Sequence, residues 1–262
     1  MEREQRRIAD SALAPINSFL EYVGELCILL ADTFKRLFTN RLEVKEMLGQ
    51  MAFIGVATVP LIALVNFFSG AVIALYFTGF LMRFGGENFV GGTVALSMTR
   101  EIAPVLSALM VAARCGSAMA ALVGQMKVTE QIDALRMLSV NPVNYLVVPR
   151  VIAAVTMLPV LTLIGMYSGV IGGYLVAVSG GVSPGAFTAS IQQYLTSWDF
   201  VGGLLKTPFF GLIIVAVACH QGFRATNGAV GVGKATTHAV VISMVLCYIA
   251  NYLLANLFFG LR

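Results

Sequence analysis

Val151-Ile-Ala-Ala-Val-Thr-Met-Leu-Pro159-Val-Leu-Thr-Leu-Ile-Gly165-Met-Tyr-Ser-Gly169-Val-Ile-Gly172-Gly173-Tyr-Leu-Val-Ala-Val178 holds no charged residue, and the uncharged run continues to Trp198. A helix needs roughly 20 apolar residues to cross the hydrocarbon core of a bilayer. This stretch exceeds that length, and so do the uncharged runs from Met47 to Met82 and from Ala235 to Leu261. None of them alternates apolar and polar residues with a period of two, so the spans read as helices and not as strands of a barrel. The fold class that follows is an all-α polytopic membrane protein.

Composition agrees. Of 262 residues, 58% are hydrophobic and 11% charged, where a soluble domain carries about a quarter charged. The net charge of +4 is unevenly placed, since Arg3, Arg6, Arg7, Lys35, Arg36, Arg41 and Lys45 all fall in the first fifty positions. That clustering fits contact with a membrane surface and gives no ground for nucleic-acid binding. Cys27, Cys115, Cys219 and Cys247 stand singly in apolar surroundings, so we expect buried free thiols and neither disulfides nor a metal site. The basic N-terminus leads into mixed apolar and acidic sequence without the apolar core of a cleavable signal.

Working outward, Ile16 to Phe38 repeats apolar residues at three and four with Glu21, Glu25 and Asp32 between them. This is the pattern of an amphipathic helix lying in the membrane interface, with packing on the helical bundle as the alternative. We divide the chain into this N-terminal segment, 1–46, and a transmembrane domain, 47–262. Five spans follow: about Leu48–Met82, interrupted by Pro60 and expected to kink or break; Gly91–Gly124; Tyr145–Val178; Val201–Gly222; and Thr237–Phe259. Ser183-Pro184 opens a short helix through Tyr194, with Ser as cap and Pro at its first position. Lys and Arg concentrate in the N-terminal segment, in 127–150 and in 224–234, and are absent from Ser179–Trp198. The positive-inside rule therefore puts the first three on the cytoplasmic side and the C-terminus outside.

Two groups of residues have the makings of function. The first is a charged island, Gln125 to Pro142, between the second and third spans. Val128, Ile132 and Leu135 form an apolar stripe, while Lys127, Glu130, Ala134 and Met137 lie on another face; a soluble partner or plain solvation both fit this pattern. The second is Arg100, Glu101 and Lys206 inside apolar spans, where an unpaired charge costs about 3 kcal/mol or more. A Glu101–Lys206 contact is expected, serving either substrate or helix pinning. The small residues of Arg114-Cys-Gly116-Ser117-Ala118, Ala120, Ala121 and Gly124 favour close helix packing. Ser117 has no neighbouring His base and makes a weak nucleophile. Gly228-Ala-Val-Gly231-Val-Gly233-Lys234-Ala235 matches the spacing of a P-loop, but it ends in Ala and follows a membrane helix instead of a strand. We read it as a glycine-rich turn capping the last span.

The ordered series Leu96-Ser-Met-Thr-Arg100-Glu101-Ile-Ala-Pro104, Arg114-Cys-Gly116-Ser117-Ala118, Met126-Lys-Val-Thr129-Glu130-Gln131-Ile-Asp133-Ala134-Leu135, Asn141-Pro142, Pro149-Arg150 and Gly231-Val-Gly233-Lys-Ala235-Thr-Thr237 resembles the MlaE/YrbE family of ABC-transporter permeases. The resemblance implies a homodimeric, non-catalytic permease of the bacterial inner membrane that moves phospholipids or related lipids. Its partners would be a cytoplasmic ATPase, which holds the ATP and magnesium, and a periplasmic MCE-type lipid-binding protein. It makes the island a coupling helix, Lys127 to Leu138, with Lys127, Glu130, Gln131, Asp133, Ala134 and Met137 facing the ATPase. It also implies a lipid pocket lined by Phe77, Leu81, Phe84, Arg100, Glu101 and Lys206. The alternative, an ion-gradient-driven secondary transporter using the same charges, would bring inverted repeats, and none is evident in the sequence.

Overall fold

The computed structural model describes residues 20–37 and 44–260. Among these residues there is no strand, and five helical assemblies are long and apolar enough to cross a membrane. Helix α1 covers residues 20–37. The first span is α2 (Val44–Ile54) and α3 (Val59–Leu81); the second runs through α4 (Glu87–Ser97), α5 (Ala103–Val111) and α6 (Ser117–Val128). A short α7 (Gln131–Met137) precedes α8 (Val148–Ser179), α9 (Pro184–Tyr194), α10 (Ser197–Phe223) and α11 (Gly228–Phe259). Arg3, Arg6, Arg7 and Arg41, and the first residues of the expected amphipathic helix, lie outside the described residues.

The first span breaks where its sequence stops supporting a continuous helix. Residues Gly55–Thr58 form a turn, and Pro60 lies in the first turn of α3, the one helical place that tolerates a missing N–H. Arg114 crosses over from the second span to hold this turn: its Nη1 donates to the Phe53 carbonyl at 3.1 Å and to Thr58 Oγ1 at 2.6 Å. The small-residue stretch named above packs as expected, with Gly116 against Ile214, Gly124 against Ala225 and Val232, and Gly222 against Val123. Ser117 Oγ donates to the Ala113 carbonyl within its own helix.

The closest packing joins α3 to α8, which run parallel. A Cβ on Gly70 would sit 1.9 Å from the Gly169 carbonyl oxygen, and one on Gly172 would sit 2.2 Å from that of Phe67. Backbones meet directly here, so van der Waals contact replaces the hydrophobic drive that lipid cannot supply. Around this seam Ala74, Val90, Val94, Met98, Met166 and Phe187 form one core cluster, which reaches α9 through Phe187. Ser183 caps α9 by accepting from the Ala186 N–H at 3.1 Å, with Pro184 at its first position.

Two expectations need correcting. The glycine-rich segment 228–235 is not a turn but the first two turns of α11. The Thr226 carbonyl folds over Gly231, 1.4 Å from where a Cβ would stand, so glycine permits the helix to start that early. Among the cysteines, Cys115, Cys219 and Cys247 are buried and free, whereas Cys27 on α1 is exposed and free. Helix α1 itself packs on the bundle: Glu25 Oε2 lies 2.9 Å from His220 Nε2 and 3.4 Å from Arg224 Nη1, and Phe34 lines a groove with Val151 of α8 and Pro208 of α10, while Leu20 and Ile28 stay exposed. Of the two expectations weighed for it, the contacts to His220 and Arg224 show packing on the bundle.

The seam gives a clear test. Gly70→Val should lower stability by about 3 kcal/mol or more through overpacking, read as a loss of thermal midpoint in detergent. Gly79→Ala on the same helix has open space at its Cβ and should be neutral or stabilising.

Candidate functional site

The charged residues of the second and fourth spans come together in one network. Residues Met98–Ile102 form a π-helical segment, a widened turn that often marks functional positions. Two residues further on, Pro104 has no N–H to donate to the Arg100 carbonyl four residues back. Lys206, on α10, supplies the missing donor: its Nζ donates to Arg100 O at 3.0 Å and pairs with Glu101 Oε1 at 2.7 Å. Asn251 of α11 closes the group, donating from Nδ2 to Glu101 Oε2 at 2.7 Å and accepting from Lys206 Nζ at 3.4 Å. The expected Glu101–Lys206 pair is therefore present, and a proline and an asparagine complete it.

Arg100 turns to a different partner. Its Nε donates to Asp199 Oδ1 at 2.7 Å. Asp199 also accepts, through Oδ2, from the Thr196 N–H and hydroxyl at 2.8 and 2.7 Å, forming a capping box at the start of α10. Phe259, near the end of α11, lies under both cations, with Arg100 Cζ 4.9 Å and Lys206 Nζ 5.1 Å from its ring centre. Gly202 makes the notch for that ring. Asp199, Asn251 and Phe259 escaped the sequence reading. The fourth span begins at Ser197, ahead of the expected Val201, and Thr196-Ser-Trp-Asp199 carries its capping signal.

Exposure separates the members of the network. Lys206 is fully buried and the Asp199 side chain is 2% exposed, whereas Arg100 and Glu101 are 36% and 41% exposed. Phe77, Leu81 and Phe84 sit elsewhere. Phe77 and Leu81 lie on α3, whose main neighbour is α8; Leu81 packs on the Val90–Phe187 cluster, and Phe84 is exposed with its ring against Phe80. A cavity of about 320 Å³, lined by Tyr167, Thr196, Phe200 and Val201, adjoins the Asp199 end of the network.

The charged island differs in detail from a continuous helix over Lys127–Leu138. Helix α6 ends at Val128, Glu130 adopts a left-handed conformation with φ 58°, and α7 begins at Gln131. The break rotates the apolar stripe apart, so Ile132 is buried and Leu135 half-buried but Val128 is exposed. Lys127 and Asp133 bridge the break at 3.1 Å, and Arg136 Nη1 joins Asp133 at 3.3 Å. Glu130, Gln131, Ala134 and Met137 point outward, Met137 being 88% exposed. After α7, Ser139 takes a left-handed conformation and the Val140 N–H returns to the Leu135 carbonyl, a Schellman ending. Asn141 then caps the next helical turn by accepting from the Val143 N–H at 2.9 Å.

Residues 47–257 match the family model of Permease MlaE. The chain belongs to the MlaE permease family. Across 243 residues it is 44% identical to a probable ABC transporter permease protein of Rickettsia prowazekii, covering 92% of this chain and 93% of that one. It is 36% identical over 233 residues to the chloroplastic protein TRIGALACTOSYLDIACYLGLYCEROL 1 of Arabidopsis thaliana, covering 88% of this chain and 67% of that one. The intermembrane phospholipid transport system permease protein MlaE of Haemophilus influenzae is 35% identical over 216 residues, 82% of this chain and 83% of its own. As a member of the MlaE family, the chain is a multi-pass ABC transporter permease.

Within this MlaE-family chain, Lys206→Met should cost about 2–3 kcal/mol, because it strands the Glu101 carboxylate and the Arg100 carbonyl while water reaches only part of Glu101. Adding Glu101→Gln should recover part of that loss. Thermal unfolding of the three variants in one detergent measures both effects.

Proposed function

We propose that the chain is the non-catalytic, membrane-spanning subunit of a transporter that moves phospholipids or related lipids between the inner membrane and the outer envelope. Two copies form the lipid path, with the N-terminus in the cytoplasm. A separate cytoplasmic ATPase binds the ATP and magnesium, and a periplasmic MCE-domain protein exchanges lipid with the permease.

One observation carries this reading: Arg100 and Glu101 are each more than a third exposed on a single chain at membrane depth. Charges cannot face hydrocarbon at that depth without a cost of several kcal/mol. A polar cavity shared with a second copy, entered by lipid headgroups, removes that cost and gives the charges a task. Lys206, buried and fully paired, positions Glu101 and the π-helical turn. Phe77, Leu81 and Phe84 then belong to the apolar wall that acyl chains pass, at the end of α3.

Energy enters through α7. Glu130, Gln131, Ala134 and Met137 form the contact face, while Lys127 and Asp133 stiffen the joint behind it. Closure of the ATPase dimer moves α7, α6 follows, and the separation of the two copies changes, which admits or expels lipid.

Glu130→Lys combined with Ala134→Arg alters only exposed positions. In the reconstituted complex it should lower both lipid transfer and lipid-dependent ATP hydrolysis by about tenfold or more, the scale of a lost interface hot spot. Normal coupling in that variant would sink the assignment of α7, and transport that persists without any ATPase would favour a gradient-driven carrier.

A further inference from the structure

Where α10 gives way to α11, a polar cavity of about 140 Å³ is lined by Gln221, Arg224, Thr226, Asn227, Lys234 and His238. It lies at the opposite end of α10 from the Arg100–Lys206 network: fifteen residues of helix separate Lys206 from Gln221, a rise of about 22 Å. The basic side chains reach it from two directions. Arg224 caps the C-terminus of α10, and Lys234 and His238 stand at i and i+4 on one face of α11.

Charge around this cavity is not balanced. Glu25 reaches Arg224 at 3.4 Å and is already engaged with His220 at 2.9 Å. Among the described residues, no carboxylate lies within 4 Å of Lys234 or His238. The start of α11 adds the positive end of a 32-residue helix, and its cap residue Asn227 makes no side-chain bond to the first turn. Gln221, only 9% exposed, is the buried polar member of the lining.

The cavity also sits at a particular depth. A 32-residue helix is about 48 Å long, whereas the hydrocarbon core is about 30 Å thick, so roughly twelve residues of α11 project beyond it. The far end of α11 is tied to the start of α10 by Trp198 Nε1, which donates to the Phe258 carbonyl at 3.2 Å. Lys234 and His238 are the seventh and eleventh residues of α11, at the end of the helix away from that tie.

We propose that this cavity binds a phosphate-bearing anion, the headgroup of an anionic phospholipid in the adjoining leaflet. The site is distinct from the lipid path and does not depend on it. Because Gly124 of α6 packs on Ala225 and Val232 beside the cavity, the bound headgroup braces the helix that leads into α7.

The test uses the permease assembled with its partner subunits in phosphatidylcholine nanodiscs doped with phosphatidylglycerol. Native mass spectrometry reads the enrichment of phosphatidylglycerol retained on the protein. Lys234→Gln should lower that enrichment about fivefold, the scale of one surface cation facing anionic lipid, and Lys234→Gln with His238→Gln should lower it further. Both residues are exposed, so thermal midpoints should stay within a degree or two of the parent on the scale of neutral surface changes. If the double variant is nonetheless unstable, Lys234→Glu alone must abolish enrichment for the proposal to stand. In a second arm, inorganic phosphate is titrated into phosphatidylcholine-only nanodiscs and followed by phosphorus NMR. Saturable phosphate binding that is lost in Lys234→Gln, without phosphatidylglycerol enrichment in the parent, assigns the site to free phosphate and overturns the lipid headgroup. Unchanged enrichment in a folded double variant overturns the site altogether, as does unchanged enrichment accompanied by loss of the ATPase subunit, which would make the basic cluster a contact for a protein carboxylate.

Discussion

The ammonium group of Lys206 is fully buried, and everything around it is arranged so that its charge is tolerable. It needs three acceptors, and it finds them on two other helices: the Arg100 carbonyl and Glu101 from the second span, and Asn251 from the fifth. This one group therefore fixes the relative rotation of three spans. The arrangement also has an internal economy, because Pro104 frees the carbonyl that Lys206 requires, and the π-helical turn directs Arg100 away to Asp199. Moving any one helix by a residue would strand at least one charge in an apolar setting.

The same logic governs the other half of the bundle without charge. Where α3 meets α8, glycines take the place of the ionic network, and contact of backbones fixes position as firmly as pairing of charges does. The two devices divide the work: the glycine seam joins the first and third spans, and the ionic network joins the second, fourth and fifth. Arg114 links the two regions by holding the turn between α2 and α3 from the second span.

Much of this is legible in the sequence, for physical reasons. Long uncharged runs have one stable form in a bilayer, so the five spans could be counted. Pro60 marked the break in the first, and Ser183-Pro184 marked α9. Glu101 and Lys206 were readable as a pair because two intramembrane charges of opposite sign have few alternatives. Asp199 was not, since an acid at a span boundary looks like solvated loop until its Thr196 cap is recognised. Asn251 carries no charge and gives no warning of its bond to Glu101. The turn expected over Gly228–Ala235 is replaced by helix, because local glycine content signals flexibility while the Thr226 carbonyl demands a glycine at 231 inside the helix. The break at Glu130 had no marker either, as glutamate rarely adopts φ 58° and nothing in Lys127-Val-Thr-Glu130 announces it.

That break has a mechanical meaning. A continuous helix from α6 through α7 would transmit force along its axis and rotate freely about it. A left-handed residue at Glu130 instead sets α7 at an angle, and the Lys127–Asp133 bridge fastens the angle from the inside. Under the proposed coupling the pair would work as a bent crank, a push on the short arm being delivered to the long arm as a tilt. The contact of Gly124 with Ala225 and Val232 would then serve as the fulcrum between the membrane surface and the depth of Arg100.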